Sequence, residues 1–370
     1  MTAPASDPGT PPLILAIESS CDETAAAVLD GPDSLRSSVV HSQVDIHRQY
    51  GGVVPELASR NHILAIDTVV ADALQQAGAA FQDLRGVAVT AGPGLTGALL
   101  VGSEYAKAIA FSLDIPLVGI NHLEGHLRAA ALGTTPGFAP LTFPCVALLV
   151  SGGHTSIVHA EHPGVYTEVG RTLDDAAGEC WDKVSKELGL GYPGGAIIDK
   201  LARDGNPAAI DMPRPMLHKG GDHFSFSGLK TYVLYHLREH GRPTGQDLHD
   251  LAASFQEAAC EVLVKKTLRV ARRLNVKDIV VSGGVACNRR LREMVLDAAG
   301  RRGLRVCIPP PSLCTDNAAM IGAAAYPRLA RHIAGGAGFA EHTMNVSASW
   351  AVDDPPPEAV RTAAWDGPPL

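Results

Sequence analysis

The chain has 370 residues, of which 46% are apolar and 5% aromatic, and its 31 basic and 39 acidic residues give a formal net charge of −8. At about 100–200 residues per domain, this length predicts two domains that need no disulfide bonds to fold. The acidic balance argues against a protein that coats nucleic acid with a uniformly basic surface, while 38 glycines and 26 prolines favour an α/β fold over a disordered or fibrous chain.

Both ends of the chain are rich in proline and aperiodic, so we expect residues 1–12 to form a disordered tail and residues 346–370 a loose one. Between them, short apolar runs typical of strands alternate with longer segments of helical period. Five runs are predicted to be strands: 13–17, 87–90, 146–150, 278–281 and 304–308. This alternation predicts an α/β fold.

Two segments share one pattern, an apolar strand, a short polar turn and a second apolar strand. They are LILAIESSCDETAAAVL at 13–29 and VALLVSGGHTSIVHA at 146–160. Turns rich in serine and glycine present backbone N–H groups, so two such hairpins facing each other across a cleft can clamp the phosphates of a nucleotide. The alternative is a pair of ordinary hairpins in unrelated sheets.

A histidine pair indicates a metal site. His122 and His126, in NHLEGH, are four residues apart, so in a helix both imidazoles lie on one face and can share an ion. Asp316, at the predicted start of a later helix, is the candidate third ligand. Glu124 is expected to point elsewhere, unlike the glutamate of the H-E-x-x-H metalloproteases. The alternative is a solvated helix face.

For His154, which follows a Ser-Gly-Gly turn, we favour an ordinary turn histidine over a phosphate contact.

A third glycine turn and a basic stretch lie between residues 265 and 305. The turn at 282–284 follows a predicted strand and precedes a helix, the place where nucleotides bind in open α/β sheets. The stretch holds twelve basic and three acidic residues, so it carries +9 and leaves −17 for the rest of the chain. Four residues at helical spacing form a candidate RNA-binding face: Lys265, Arg269, Arg272 and Arg273. A solvated helix face is the alternative.

The cellular compartment is predicted from what the chain lacks. Its seven cysteines contain no C-x-x-C pair and are typical of reduced thiols. No apolar run approaches the roughly 18 residues of a membrane span, and the first twelve residues lack the basic start of a signal peptide. We therefore expect a cytoplasmic protein with no membrane partner.

Nine segments, all in register, resemble one family, the tRNA N6-adenosine threonylcarbamoyltransferases, formerly described as O-sialoglycoprotein endopeptidases. The segments are IESSCDETAAAV, HRQYGGVVPELASRNHI, TAGPGLTGALLVG, NHLEGH, ALLVSGGHTSIV, DDAAGECWDKVSKELGLGYPGG, FSFSGLKT, SGGVACNRRLR and CTDNAAMIGAA. The resemblance covers nearly the whole folded chain. It implies the superfamily of actin, Hsp70 and sugar kinases, an α/β fold with two ribonuclease-H-like lobes and a ligand cleft between them.

The resemblance also implies bounds for the two lobes. The first lobe would comprise about 13–135 together with about 316–345. The second would comprise 140–315, with a helical insertion at about 174–240.

The activity implied is transfer of the threonylcarbamoyl group from threonylcarbamoyl-AMP to N6 of the adenosine next to the anticodon, at position 37, in tRNAs that read ANN codons. His122, His126 and Asp316 would bind one Fe²⁺ or Zn²⁺ per subunit. The residues implied around the substrate are Leu149, Val150, Ser151, Gly152, Gly153, Asp182, Gly195 and Asn288. An inactive paralogue and a small P-loop ATPase would be the protein partners.

The attacking N6 must lose a proton, and a carboxylate near the cleft can accept it. Asp22 and Glu23, in the turn of the first hairpin, are the candidates, and Asp22 is preferred. The alternative is that they only cap that turn. The chain departs from the family at Ala25, where glycine is common, and in the uncharged VSASWAV segment, where a basic segment is common. A metal-dependent glycoprotein endopeptidase and an inactive nucleotide-binding scaffold are the competing functions.

Overall fold

The computed structural model describes residues 11–133, 135–219, 221–335, 344–357 and 360, and its strands form two five-stranded sheets. The first sheet contains β1 (Leu13–Glu18), β2 (Glu23–Leu29), β3 (Leu35–Ser42), β4 (Leu84–Gly92) and β5 (Leu117–Asn121). The second contains β6 (Cys145–Val150), β7 (Thr155–His162), β8 (Val165–Arg171), β9 (Asp278–Ser282) and β10 (Arg305–Cys307).

Helices lie between and after these strands. They are α1 (Val44–Arg48), α2 (Pro55–Ala77), α3 (Thr96–Leu113), α4 (His122–Arg128), α5 (Ala177–Glu187), α6 (Gly194–Ala202), α7 (Ser227–His240), α8 (Gly245–Arg273), α9 (Arg289–Gly300), α10 (Pro311–Cys314) and α11 (Ala318–Ala334). Among the described residues, no helix is both long enough and apolar enough to cross a bilayer.

The two sheets have the same topology. The strand order is β3-β2-β1-β4-β5 in the first and, read from its other edge, β8-β7-β6-β9-β10 in the second. In each, the first three strands form an antiparallel meander and the last two run parallel to the first. The two predicted hairpins, β1-β2 and β6-β7, therefore hold equivalent places, and the prediction of a duplicated α/β unit is confirmed.

Helices cover the first sheet on both faces. Helices α2 and α3 pack on one face, and the alanine-rich α11 packs on the other against β1, β2 and β4. Strands β1 and β4 are consequently buried on both sides and read as continuous apolar runs, as expected for strands inside an α/β layer structure. The residue bounds predicted for the two lobes stay predictions.

The approach of α11 to the first sheet depends on Gly322. A Cβ atom at Gly322 would lie 2.1 Å from Cδ1 of Leu29, and Leu29 is fully buried in the core. We expect Gly322→Val to lower the free energy of unfolding by about 1–3 kcal/mol, because the enclosed Leu29 cannot move aside. Urea denaturation measures this effect, and Gly300→Val is the matched control, since nothing lies within 4 Å of a Cβ at that helical glycine. Equal midpoints for the two variants would contradict the packing.

The second sheet carries a larger helical layer. Helix α8 is buried along most of its length and packs with α5, α6 and α9 in one hydrophobic core. Helices α5, α6 and α7 fall within the segment at about 174–240 that was predicted as a helical insertion. These three helices place residues that come after β8 in the chain at the edge of the second sheet where β6 and β9 end.

The C-terminal segment corrects one prediction. The loose tail predicted from residue 346 is wrong for its described part, since Trp350 and Val352 are 4% and 7% exposed. Asn121 Nδ2 donates to the carbonyl of Trp350 at 3.0 Å, and Asp353 Oδ2 accepts from the backbone N–H of Glu168 at 3.0 Å. The uncharged, tryptophan-bearing segment therefore packs against both sheets. The predicted tails at 1–10 and 361–370 lie outside the described residues.

Candidate functional site

The histidine pair lies on a short helix at the end of a parallel strand. Asn121, the last residue of β5, caps α4 by accepting hydrogen bonds from the N–H groups of Leu123 at 2.9 Å and Glu124 at 3.4 Å. The cap makes His122 the first helical residue and places His126 one turn later on the same face. Their ring centroids are 4.7 Å apart.

Asp316 completes the cluster from a distant part of the chain. It stands just before α11, where Asn317 caps the helix by accepting from the N–H of Met320 at 2.9 Å. One oxygen, Asp316 Oδ1, lies 3.1 Å from His126 Nε2 and 3.5 Å from His122 Nε2. One ligand atom from each of these side chains lies within 4.8 Å of the others. The structure therefore brings the three predicted ligands together.

The donor set fits a divalent transition metal. His126 is 1% exposed, and neither of its ring nitrogens makes a hydrogen bond within the described part of the chain, although Nε2 faces Asp316. A buried imidazole without a hydrogen-bond partner is costly, and a metal ion would satisfy it. Two imidazole nitrogens and one carboxylate oxygen, with room for an external ligand, suit Zn²⁺ or Fe²⁺.

Glu18 supports the cluster and was missed from the sequence. It ends β1, is fully buried, and its Oε2 lies 3.1 Å from His122 Nδ1. Thr90 donates to the same oxygen at 2.5 Å. Burial disfavours charge on His122, but the carboxylates of Asp316 and Glu18 outweigh it and raise the pKa of His122 to about 9. A glutamate at the end of an otherwise apolar strand was the available signal.

Glu18 is expected to orient His122 for metal binding, because partners of metal-bound histidines fix the ring and its tautomer. We expect Glu18→Gln to weaken Zn²⁺ affinity by about 10–100-fold. Competition with a chromophoric chelator at fixed pH measures the affinity. Glu104→Gln, on the exposed surface of α3, is the control and should bind Zn²⁺ like the unchanged chain. Unchanged affinity in Glu18→Gln would remove Glu18 from the site.

Glu124 points away from the metal cluster, which comprises the candidate ligands His122, His126 and Asp316, as expected. Its Oε1 accepts from Arg328 Nη2 at 2.9 Å and from the Tyr166 hydroxyl at 3.1 Å. Both Glu124 and Arg328 are largely buried, so the pair is held in place. The helix therefore supplies no glutamate beside the ion to activate water for peptide hydrolysis.

His154 lies closer to the cluster than the preferred sequence interpretation implied. It stands in the turn between β6 and β7, and its ring centroid is 6.4 Å from that of His122. Burial, together with the neighbouring His122 and His126, lowers the pKa of His154 to about 4. It is therefore a neutral imidazole facing the metal cluster from the second sheet.

The predicted phosphate-binding loop at 149–153 ends β6. The carbonyl of Ser151 accepts from the N–H of Gly178 at 3.2 Å, at the start of α5, while Gly152 and Gly153 are exposed. Gly283 has φ 97°, and a Cβ there would lie 2.3 Å from the carbonyl oxygen of Val150. Only glycine lets the third glycine turn approach β6 this closely.

The other predicted substrate residues lie around the same edge. Asp182, on α5, accepts from the N–H of Gly194 at 2.7 Å, next to Gly195. Asn288 is 8% exposed and caps α9 by accepting from Leu291 N–H at 3.0 Å. Its Nδ2 donates to Gln256 Oε1 at 2.7 Å, so the Asn288 amide is already engaged within the protein.

The two candidate proton acceptors stand in the turn between β1 and β2. Asp22 is 8% exposed, and its backbone carbonyl accepts from the N–H of Gln43 at 3.0 Å. His62, which lies on α2 and for which no role was predicted from the sequence, holds this turn in place. Its Nε2 lies 3.0 Å from the carbonyl of Cys21, and its Nδ1 lies 2.8 Å from Thr24 Oγ1. The turn is therefore fixed beside the metal cluster.

The electrostatics separate Asp22 from Glu23. Burial, with the nearby carboxylates of Asp316 and Asp22, raises the pKa of Glu23 to about 10. Ser42 donates a hydrogen bond to Glu23 Oε1 at 3.1 Å. Glu23 therefore holds a proton at neutral pH and can donate a hydrogen bond. Between the two carboxyl groups, Asp22 is the better acceptor.

The candidate RNA-binding face is partly neutralised by acidic neighbours. Arg269 Nη2 lies 3.2 Å from Asp222 Oδ1, and Arg273 pairs with the other oxygen of Asp222. Lys265 pairs with Glu261 one turn away. Arg272 is exposed and has no ion pair among the described residues. The candidate RNA-binding face therefore carries less unpaired positive charge than the residue count suggested.

Comparison with known proteins gives one family. The family model described as tRNA N6-adenosine threonylcarbamoyltransferase matches residues 34–323. A protein of that name from Syntrophotalea carbinolica is 54% identical over 342 residues, which is 92% of this chain and 97% of the relative. Another from Geobacter metallireducens is 52% identical over 342 residues, again 92% and 97%. One from Anaeromyxobacter dehalogenans is 54% identical over 320 residues, 86% and 94% of the two chains.

Solved structures share the fold. Component A of the (R)-2-hydroxyglutaryl-CoA dehydratase of Acidaminococcus fermentans gives a TM-score of 0.51 at 16% identity, over 86% of this chain and 99% of that one. Full-length HypF gives 0.56 at 12% identity, over 86% and 46%. At these identities the likeness concerns architecture alone, and it agrees with the predicted actin-like fold.

Proposed function

The chain belongs to the tRNA N6-adenosine threonylcarbamoyltransferase family, and we propose that it converts threonylcarbamoyl-AMP and tRNA into AMP and N6-threonylcarbamoyladenosine at position 37 of tRNAs that read ANN codons. It is accordingly a tRNA-modifying transferase. The observation that carries the proposal is the metal cluster of His122, His126 and Asp316, which stands where two equivalent hairpins meet. A cleft between related lobes suits an adenylate substrate.

The three ligands would hold one divalent ion, Fe²⁺ or Zn²⁺. When bound, such an ion supplies Lewis acidity that polarises a carbonyl or phosphoryl oxygen. Glu18 would keep His122 in the orientation that coordination requires, by the hydrogen bond between Glu18 Oε2 and His122 Nδ1.

The remaining residues would bind the adenylate. Within the predicted turn at 151–153, Gly152 and Gly153 would offer backbone N–H groups to its phosphate, because both are exposed and a Cβ at either would meet nothing within 4 Å. Asp182 would accept hydrogen bonds from the ribose hydroxyls. Asn288, whose amide is engaged by Gln256 and α9, would shape the adenine end rather than read it.

Proton transfer would be the task of the β1-β2 turn. The N6 amine of adenosine is a weak nucleophile, since its lone pair is delocalised into the ring. Asp22 would accept the N6 proton as the bond to the carbamoyl carbon forms. Glu23, which is protonated at neutral pH, would hydrogen-bond to Asp22 or to a substrate oxygen.

The partners we propose are tRNA, an inactive paralogue of this chain and a small P-loop ATPase, all in the cytoplasm. Arg272 would contribute to the tRNA surface, but the pairing of its neighbours with Asp222 and Glu261 indicates that this face does not act alone. The need for partner proteins is consistent with that weak charge.

Two other functions fit the site less well. A glycoprotein endopeptidase of the H-E-x-x-H type would need the glutamate of the histidine helix beside the ion to activate water, and Glu124 is turned towards Arg328 instead. An inactive scaffold would have no use for a complete ligand set. Incubating the metal-loaded chain with glycoprotein should give no metal-dependent cleavage, and cleavage that His122→Ala abolishes would favour the peptidase.

The experiment for the proposed function is reconstitution. Purified chain, Fe²⁺ or Zn²⁺, threonylcarbamoyl-AMP, tRNA and the two partner proteins are combined, and the digested tRNA is analysed by nucleoside mass spectrometry. We expect the modified adenosine to accumulate with an equal amount of AMP. Absence of product with either metal, in a mixture that a characterised family member makes active, would contradict the proposal.

Substrate binding is expected to depend on pH through Asp182. Burial raises the pKa of Asp182 to about 6, against the opposing hydrogen bonds from the N–H groups of Gly194 and Gly195. The charged form therefore prevails above pH 6, and protonation below it removes an acceptor for the ribose. We expect KM for threonylcarbamoyl-AMP to rise as the pH falls from 7.5 to 5.5. Asp182→Asn should remove this dependence, whereas an identical profile in that variant would contradict it.

A further inference from the structure

Arg128 is a largely buried cation to which the described residues offer no hydrogen-bond or ion-pair partner. It is the last residue of α4 and is 7% exposed. Over the described residues its guanidinium makes no hydrogen bond or ion pair, and it lies over the ring of Phe143, whose centroid is 5.9 Å from Cζ. An arginine is always charged and carries five donors, and no nitrogen of Arg128 is fully enclosed, so the guanidinium is open to an anion in the space that it faces. The position is explained if something outside the chain completes it.

The guanidinium lines a cavity of about 390 Å³. Its apolar walls are Pro32, Ala130, Ala131, Pro140, Leu141 and Phe143. Arg128 is the one cation among the described lining residues, and Asp33 is the one acid. No ion pair joins Asp33 to Arg128, and Asp33 is exposed. A cavity in which apolar side chains stand beside a cationic group has the chemistry to hold a small organic anion.

The cavity is separate from the metal cluster and the predicted substrate loops. It is formed by the turn between β2 and β3 and by the segment that runs from the end of α4 to the start of β6. None of the residues proposed to bind threonylcarbamoyl-AMP lines it. It does share α4 with the metal cluster, since His122 and His126 lie on the same helix.

We propose that this cavity is a second ligand site, which takes a small organic anion with an apolar body. The carboxylate or phosphate group of the ligand pairs with the Arg128 guanidinium, whose planar fork matches either group. The apolar body packs on Phe143 and Leu141. This inference does not depend on the proposed transfer reaction.

Calorimetric titration of the full, metal-loaded chain tests the site, with phenyl phosphate, benzoate and inorganic phosphate as probes. We expect phenyl phosphate or benzoate to bind saturably, and Arg128→Gln to weaken that binding by about 10–100-fold. Phe143→Leu should weaken phenyl phosphate more than inorganic phosphate, because it removes the aromatic wall. Arg301→Gln, at an exposed arginine paired with Asp297, is the control and should bind like the unchanged chain. Phosphate can also enter the nucleotide cleft. Binding at this cavity is therefore the part that Arg128→Gln loses and Arg301→Gln retains.

Thermal unfolding separates this role from a structural one. Without anion, we expect Arg128→Gln to unfold at the same temperature as the unchanged chain or higher, because the variant lacks an unpaired buried charge. Saturating phenyl phosphate should raise the unfolding temperature of the unchanged chain. In the variant, binding at this cavity should give no such rise. Absence of saturable binding by either organic probe, or equal affinity in Arg128→Gln, overturns the proposal. The proposal is also overturned if Arg128→Gln without anion has an unfolding temperature well below that of the unchanged chain.

Discussion

Asp316→Ala is expected to lower kcat for threonylcarbamoyl transfer by at least about 100-fold and to remove the bound metal. Asp316 is the only carboxylate in the described ligand set, and its Oδ1 faces both imidazoles at 3.1 and 3.5 Å. Two histidines alone make an incomplete site. Elemental analysis of the purified variant and nucleoside mass spectrometry of its product measure the two effects.

Asp297→Ala is the matched control, because Asp297 is exposed on α9 and pairs only with Arg301 in the described part of the chain. It should retain one metal ion and full activity. An Asp316→Ala variant that keeps its metal and makes product at the normal rate would show that the cluster is not the metal site. Loss of product with the metal retained would show that Asp316 acts on the substrate instead.

Asp22→Asn is expected to lower kcat by about 10²–10⁴-fold while leaving the metal content unchanged, because the variant cannot accept the N6 proton. Glu23→Gln is the informative comparison. Since the raised pKa of Glu23 keeps it protonated at neutral pH, a neutral amide of the same shape should cost far less activity. Single-turnover rates at saturating substrate measure both variants.

The contrast between the two variants identifies the base. A larger loss in Glu23→Gln than in Asp22→Asn would assign proton transfer to Glu23. Equal and small losses would favour the alternative in which both residues only shape the turn, a role that His62 and Gln43 already share. Folding of each variant is checked by its unfolding temperature.

The duplicated architecture explains why these groups meet. Glu18 ends β1, His122 follows β5, the 151–153 turn follows β6 and Gly283 follows β9. In both sheets the parallel strands end at the same edge, which is where ligands bind in α/β folds. The two histidines of the candidate metal site follow β5 of the first sheet, and Asp316 precedes α11, which packs on that sheet. The predicted phosphate turn comes from the second sheet. The site is therefore a product of how the two halves face each other.

Local patterns predicted much of this arrangement. The alternation of strands and helices, the two hairpins and the four-residue spacing of His122 and His126 are properties of short segments, and the structure confirms them. Glu18 was not recognised, and His154 was interpreted as an ordinary turn histidine, because their closeness to His122 arises only when β1 and the β6-β7 turn are brought against α4. No periodicity in sequence encodes that closeness.

Two differences between the sequence interpretation and the structure have the same cause. The segment from residue 346 reads as a loose tail, since proline and small residues give it no period, yet Trp350 is buried against the end of β5. The basic stretch reads as a continuous cationic face, but Asp222, distant in sequence, pairs with Arg269 and Arg273. Both depend on partners that lie far away along the chain.

The most direct test follows the carbamoyl carbon itself. Threonylcarbamoyl-AMP labelled at that carbon is incubated with tRNA, the partner proteins and either the unchanged chain or Asp22→Asn, and the label is located by mass spectrometry of tRNA fragments. We predict that label appears at N6 of the adenosine at position 37, that a tRNA with guanosine there receives none, and that Asp22→Asn slows the transfer by about 10²–10⁴-fold. Label transferred equally fast without the chain, or with Asp22→Asn, would contradict the account.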